Sequence, residues 1–145
     1  MSTLMIVVLL GLLGGLAVGL QGPLASLMTQ RLGLLESIFI VHLGGALAVT
    51  VPLLLRGGGS LGEFRSVPWY ALGTGLMGLV ILSAVSYTIP RVGVAPTVTL
   101  IVAGQLALGV VLDHFGLLGA EVRHLDAQRL IGIVVLFIGV WLIVR

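Results

Sequence analysis

From Leu4 to Leu20 the chain reads LMIVVLLGLLGGLAVGL, without one charged or hydrogen-bonding side chain. A stretch of that length and character is a membrane-spanning helix, since the hydrocarbon core of a bilayer takes about 20 apolar residues per crossing. Four more such stretches follow. The spans are expected at about 4–21, 37–55, 67–89, 94–112 and 129–144, with the first helix continuing toward Gln30. Five crossings use roughly 100 of the 145 residues, leaving short loops and no room for a soluble catalytic domain. The expected fold is therefore an all-α integral membrane protein, a single five-helix domain over residues 1–145. The first span lacks the positively charged leader of a secretory signal peptide and runs into Gln21-Gly22-Pro23 without a small-residue cleavage site, so it is expected to be retained.

Composition agrees. Hydrophobic residues make up 59% of the chain and charged ones 8%, and the mean hydropathy is +1.28, which excludes a water-soluble domain. No cysteine is present, so disulfides, thiolate nucleophiles and cysteine-ligated metals are excluded. The net charge of +2 comes with seven arginines and no lysine. They stand singly near helix ends, which argues against nucleic acid as a partner.

The segments between spans carry ordinary signals. Arg56-Gly57-Gly58-Gly59-Ser60 reads as a flexible loop, and Pro90-Arg91-Val92-Gly93 as a tight turn. Trp69, Tyr70 and Trp141 sit where interfacial anchors belong. Pro96 falls in a first helical turn, where proline is tolerated. The most polar stretch, residues 113–128, alternates in charge sign and reads as a solvated connection. The last span is short, and Arg129 and Arg145 are expected to snorkel at its ends.

Gly11, Gly15 and Gly19 stand four apart, two overlapping GxxxG motifs on one helix face, and Gly132 and Gly139 stand seven apart. Such faces let helices approach closely where lipid provides no hydrophobic drive to associate. The bland alternative is that membrane helices are simply glycine-rich.

Five spans put the termini on opposite sides of the membrane. Arg56, Arg65, Arg123 and Arg129 then lie on the N-terminal side, and Arg31, Arg91 and Arg145 on the other. Arginine distribution sets orientation, and this one is nearly balanced. A second five-span unit joined end to end would be upside down, the inverted-repeat plan of many secondary transporters. A free unit with balanced charge would fill the same plan as an antiparallel dimer, half of a ten-helix transporter.

Polar residues inside spans are costly and so are candidates for function. Gln21 and Gln105 either line a pathway or bond a neighbouring helix. His42 is either a second solute contact or proton relay, imidazole being the side chain that titrates near working pH, or a packed hydrogen-bonder. Asp113 returns to the face of Gln105 two turns later and, with His114, either gates one mouth or is merely solvated. Ser83, Ser86, Tyr87 and Thr88 form a polar strip at the end of the third span. No carboxylate lies deep in a span. Metal-ligand spacing, a Ser-His-Asp set and a phosphate-binding glycine loop are all missing, so neither enzyme activity nor a cofactor or metal is expected.

Leu20-Gln21, Pro90-Arg91-Val92-Gly93-Val94-Ala95, Ala103-Gly104-Gln105-Leu106, Asp113-His114-Phe115-Gly116 and the Gly132–Gly139 segment occur in an order and spacing that resembles the YdcZ-type branch of the drug/metabolite transporter superfamily. The resemblance spans essentially the whole chain. It implies a five-helix half-unit in the bacterial inner membrane, surrounded by lipid, that moves a small solute as a homodimer or with a paired small membrane subunit. Related small multidrug exporters use a glutamate in the first helix. None stands there in this chain, so proton-coupled cation export is not implied. An asparagine expected shortly after Gln21 is also absent, Ala25 standing in that neighbourhood. The rival reading is a non-transporting scaffold or assembly subunit whose glycine faces grip a partner.

Overall fold

The structure, a computed structural model, describes residues 2–145. The described residues form helices α1 (Thr3–Leu32), α2 (Leu34–Leu55), α3 (Trp69–Leu72), α4 (Thr74–Val92), α5 (Val94–Phe115) and α6 (Ala127–Val144). Short 3-10 turns lie at Leu61–Ser66 and Leu117–Gly119. With α3 and α4 read together, separated only by Gly73, five helices are long and apolar enough to cross a membrane. Helix is the form in which a chain satisfies its own backbone groups in lipid, and no strand occurs among the described residues.

The helix α1 does not stop at Leu20. Ser2 caps it by accepting the Met5 amide at 3.4 Å, and it runs 30 residues to Gly33. Pro23 lies inside it without ending it. A proline has no N–H, so the Gly19 carbonyl one turn earlier loses its intrahelical donor.

Two helix joints are built alike. Arg31-Leu32-Gly33 leads to Ser37, and Arg91-Val92-Gly93 leads to Thr97. Each joint is a single glycine, at φ 112° and 90°, a region that L side chains rarely adopt. Ser37 and Thr97 donate their amides to the carbonyls of those glycines at 3.2 and 3.4 Å, and both are buried.

The chain forms two compact units, Met1–Pro90 and Arg91–Arg145. In the first, Ala25, Ile38 and Leu82 form a small core, with Met28 and Val41 packed on it. Ala25 has no exposed surface, and the Ser37 hydroxyl donates to its carbonyl at 3.0 Å. Thr29 and Ser86 share a hydroxyl–hydroxyl bond of 3.0 Å, tying α1 to α4 through the polar strip that ends the third span. Gly22 sits where a Cβ would meet Val85 at 3.3 Å. In the second unit α5 packs along α6, with Ala103 and Val140 buried. The large apolar side chains elsewhere are mostly exposed, as expected of surfaces solvated by lipid.

Ala25→Leu should overpack this core and cost about 1–3 kcal/mol in a denaturant titration followed by helical circular dichroism in detergent. Gly75→Leu, at a position where a Cβ meets nothing within 4 Å, should cost nothing measurable in the same titration.

Candidate functional site

Ser37 on α2 is fixed to Ala25 on α1, and the two helices run in opposite directions from Gly33. Moving one turn back along α1 from Ala25 reaches Gln21. Moving five residues forward along α2 from Ser37 reaches His42. At 1.5 Å per residue these steps are about 6 and 7.5 Å, so the two side chains arrive at nearly the same depth. Measured from the joint, that depth is roughly 14–18 Å, about half of a ~30 Å hydrocarbon core.

A cleft opens at this level. Gln21 lines it from α1, His42 with Val41, Gly45 and Ala46 from α2, and Gly78, Ile81 and Leu82 from α4. Its volume is about 360 Å³, within the roughly 300–1,000 Å³ range of small-molecule sites. Apart from His42, no lining residue is titratable.

His42 is held from behind. Its Nδ1–H donates to the Ile38 carbonyl one turn earlier at 2.8 Å, and the far edge of the ring lies against Gly78. A Cβ at Gly78 would land on Nε2. Gly78 is thus part of the site, though nothing in the sequence sets it apart from the other glycines. The Gln21 carboxamide makes no hydrogen bond among the described residues. A carboxamide without a hydrogen-bond partner among the described residues and an imidazole backed against Gly78 therefore line one cleft.

Of the residues expected to carry function, Gln21 and His42 come together here. Gln105 stands on α5 in the other compact unit, its side chain exposed. Asp113 and His114 lie at the end of α5, where they organise the connection to α6. The Asp113 carbonyl accepts the Arg123 amide at 2.8 Å, and its carboxylate lies 3.8 Å from the Arg129 guanidinium. His114 Nδ1 accepts the Leu125 amide at 3.3 Å, and its ring meets His124 edge-on at 5.5 Å between centroids. The stretch expected to be a solvated connection is exposed over residues 121–128 and is folded locally as a strap. Gly116 turns it in the left-handed region, with Val122 packed where a Cβ would be. On its exposed side the hydrogen bond from Arg123 to Glu121, with their charge attraction, raises the guanidinium pKa further. No group of three or more metal-ligating side chains occurs among the described residues.

The glycine faces are uncovered. A Cβ at Gly11, Gly15, Gly19, Gly132 or Gly139 would meet nothing within 4 Å, and a shallow groove runs along Gly11, Gly15 and Gly19.

Comparison with known proteins places these features in a family. The chain matches the family described as "Putative inner membrane exporter, YdcZ" over residues 6–142. It is 30% identical over 134 residues to the inner membrane protein YdcZ of Escherichia coli (strain K12), covering 90% of this chain and 89% of that protein. No solved structure matches it.

The strap makes a separable prediction. His114→Ala should speed hydrogen exchange at the Leu125 amide severalfold in the detergent-solubilised protein, while the Arg123 amide, held by the Asp113 backbone, stays protected. Arg129→Gln should change unfolding free energy by less than about 1 kcal/mol, its ion pair being half-exposed.

Proposed function

We propose that this chain, which belongs to the YdcZ family of drug/metabolite transporters and is a multi-pass protein of the bacterial inner membrane, exports a small solute through the cleft between α1, α2 and α4, with Gln21 and His42 as solute contacts. The observation that supports this is their shared cleft. A carboxamide left without a hydrogen-bond partner in the middle of a span, beside an imidazole, is costly unless something fills the space. Secondary transporters hold substrate at this depth, between repeats. With no carboxylate in the cleft, the cargo is neutral, zwitterionic or weakly charged.

The working unit in this reading is an antiparallel pair of chains, or one chain with a small paired subunit. It rocks between inward- and outward-open forms. In the same reading Gln105, on α5, is a further solute contact, and Asp113 and His114 gate one mouth. Support comes from the nearly balanced arginines and from the glycine faces on α1 and α6 that a single chain leaves bare.

Solutes that accumulate in the medium of expressing cells, relative to cells with an empty vector, can be found by mass spectrometry without knowing the cargo. Gln21→Leu and Gln105→Leu should return that export to the vector level, at least a tenfold loss, while membrane expression is unchanged. A scaffold would tolerate both. Gly15→Leu should convert the pair to single chains in cross-linking, and export should fall with it.

A further inference from the structure

We infer that residues 61–70 form an interfacial anchor, lying along the bilayer surface with Leu61, Phe64, Val67 and Trp69 at the acyl boundary and Arg65 at the level of the lipid phosphates.

The path of the chain after α2 holds this segment at the membrane. Gly57, Gly58 and Gly59 stand one after another at positive φ, and the amides of Gly57 and Gly58 donate to the carbonyls of Leu54 and Leu53, both at 2.9 Å. These bonds occupy carbonyls that the end of α2 would otherwise leave unpaired, and they turn the chain sharply there. Leu61–Ser66 follows as a 3-10 turn, and Pro68 leads into α3 at Trp69. The helices on both sides are spans, so the bilayer surface is what the segment meets.

Side chains three residues apart eclipse in a 3-10 turn. Leu61 and Phe64 share one edge, which Val67 continues, its amide donating to the Phe64 carbonyl at 3.2 Å. Glu63 and Ser66 share a second edge, and Gly62 and Arg65 a third. The apolar edge is turned toward the spans, since Leu61, Phe64 and Val67 border a cavity of about 520 Å³ together with Leu53 of α2 and Leu72 of α3. Glu63 and Ser66 also border it, the Ser66 hydroxyl donating to the Glu63 carbonyl at 2.7 Å.

The described residues leave the apolar edge uncovered. Leu61 is 59% exposed, Phe64 53% and Trp69 84%. Aromatic and aliphatic side chains on one edge, with an arginine on another, are the pattern of segments that lie in a membrane interface. The Arg65 guanidinium lies over the Phe64 ring, 5.8 Å from its centroid. With the ring seated, the charge is left beside the phosphates, as in a snorkelling arginine. Depth is bounded from the other side. So short a turn leaves backbone groups unpaired, which hydrated headgroups can satisfy and hydrocarbon cannot. The backbone therefore stays in the interface, and the apolar side chains reach about 5–10 Å into it.

The test uses the full chain, which has no cysteine, with single cysteines introduced at 61, 62, 64, 65 and 67. Each carries a nitroxide in vesicles of phosphatidylcholine and phosphatidylglycerol. Collisions with oxygen, which concentrates in lipid, are compared with collisions with a nickel chelate confined to water. The expected result has a period of three: the oxygen-to-nickel ratio is severalfold higher for Leu61→Cys, Phe64→Cys and Val67→Cys than for Gly62→Cys and Arg65→Cys. A uniformly low ratio would place the segment in water. Loss of collisions with both probes at 61, 64 and 67 would place another protein chain over it. Either result overturns the inference. Phe64→Trp, combined with Trp69→Phe and Trp141→Phe, gives a second reading without a label. Lipid brominated on its acyl chains should quench that fluorescence and aqueous iodide should not; the reverse contradicts the anchor.

Discussion

The bond from the Ser37 hydroxyl to the Ala25 carbonyl fixes the level at which α1 and α2 meet. Lipid tails are as apolar as leucine, so helices in a bilayer gain little from burying leucine against leucine. They associate where small residues let backbones approach and where a side-chain hydroxyl finds a carbonyl on the next helix. Ala25, wholly buried, provides the first condition and Ser37 the second. Once that level is set, the helical rise brings Gln21 and His42 to one depth, and the Thr29–Ser86 bond brings α4 alongside. Gly78 then lies against the edge of the imidazole, and the cleft exists.

Much of this was written plainly in the sequence. Spans of apolar residues can hardly be anything but bilayer helices, and Gln21 and His42 declare themselves by being polar within them. What the sequence did not reveal was which residues meet. Gly78 looks like any of 22 glycines until the His42 ring is placed over it. Ser26 and Ser37, which nothing in the sequence sets apart, are almost wholly buried. The reason is physical: a hydroxyl or a missing side chain acquires its role from the opposite helix, and one-dimensional pattern carries no register between helices. The repeated joint, Arg31-Leu32-Gly33 to Ser37 and Arg91-Val92-Gly93 to Thr97, shows itself only once both glycines are seen at positive φ. The strap after α5 is the solvated connection its alternating charges suggest, exposed over residues 121–128; the bonds to Asp113 and His114 that fold it carry no sequence signal.

The same logic explains why the chain is expected not to act alone. Small-residue faces are useful only against another helix, and those at Gly11, Gly15 and Gly19 and at Gly132 and Gly139 have none within the chain's own packing. An odd number of spans means that a second copy must be inverted to reproduce an inverted-repeat transporter. Nearly equal arginine numbers on the two sides lower the barrier to inserting either way. Odd span count, balanced charge and bare glycine faces are independent features that favour one arrangement.

Orientation in the membrane tests that arrangement most directly. The chain has no native cysteine, so a single one at Ser60, exposed in the loop after α2, can be labelled in intact cells with an impermeant thiol reagent and again after lysis. The account predicts that about half the molecules label before lysis and the rest only afterwards. Labelling that is all or none, in cells where the protein is made alone and still exports, would contradict it.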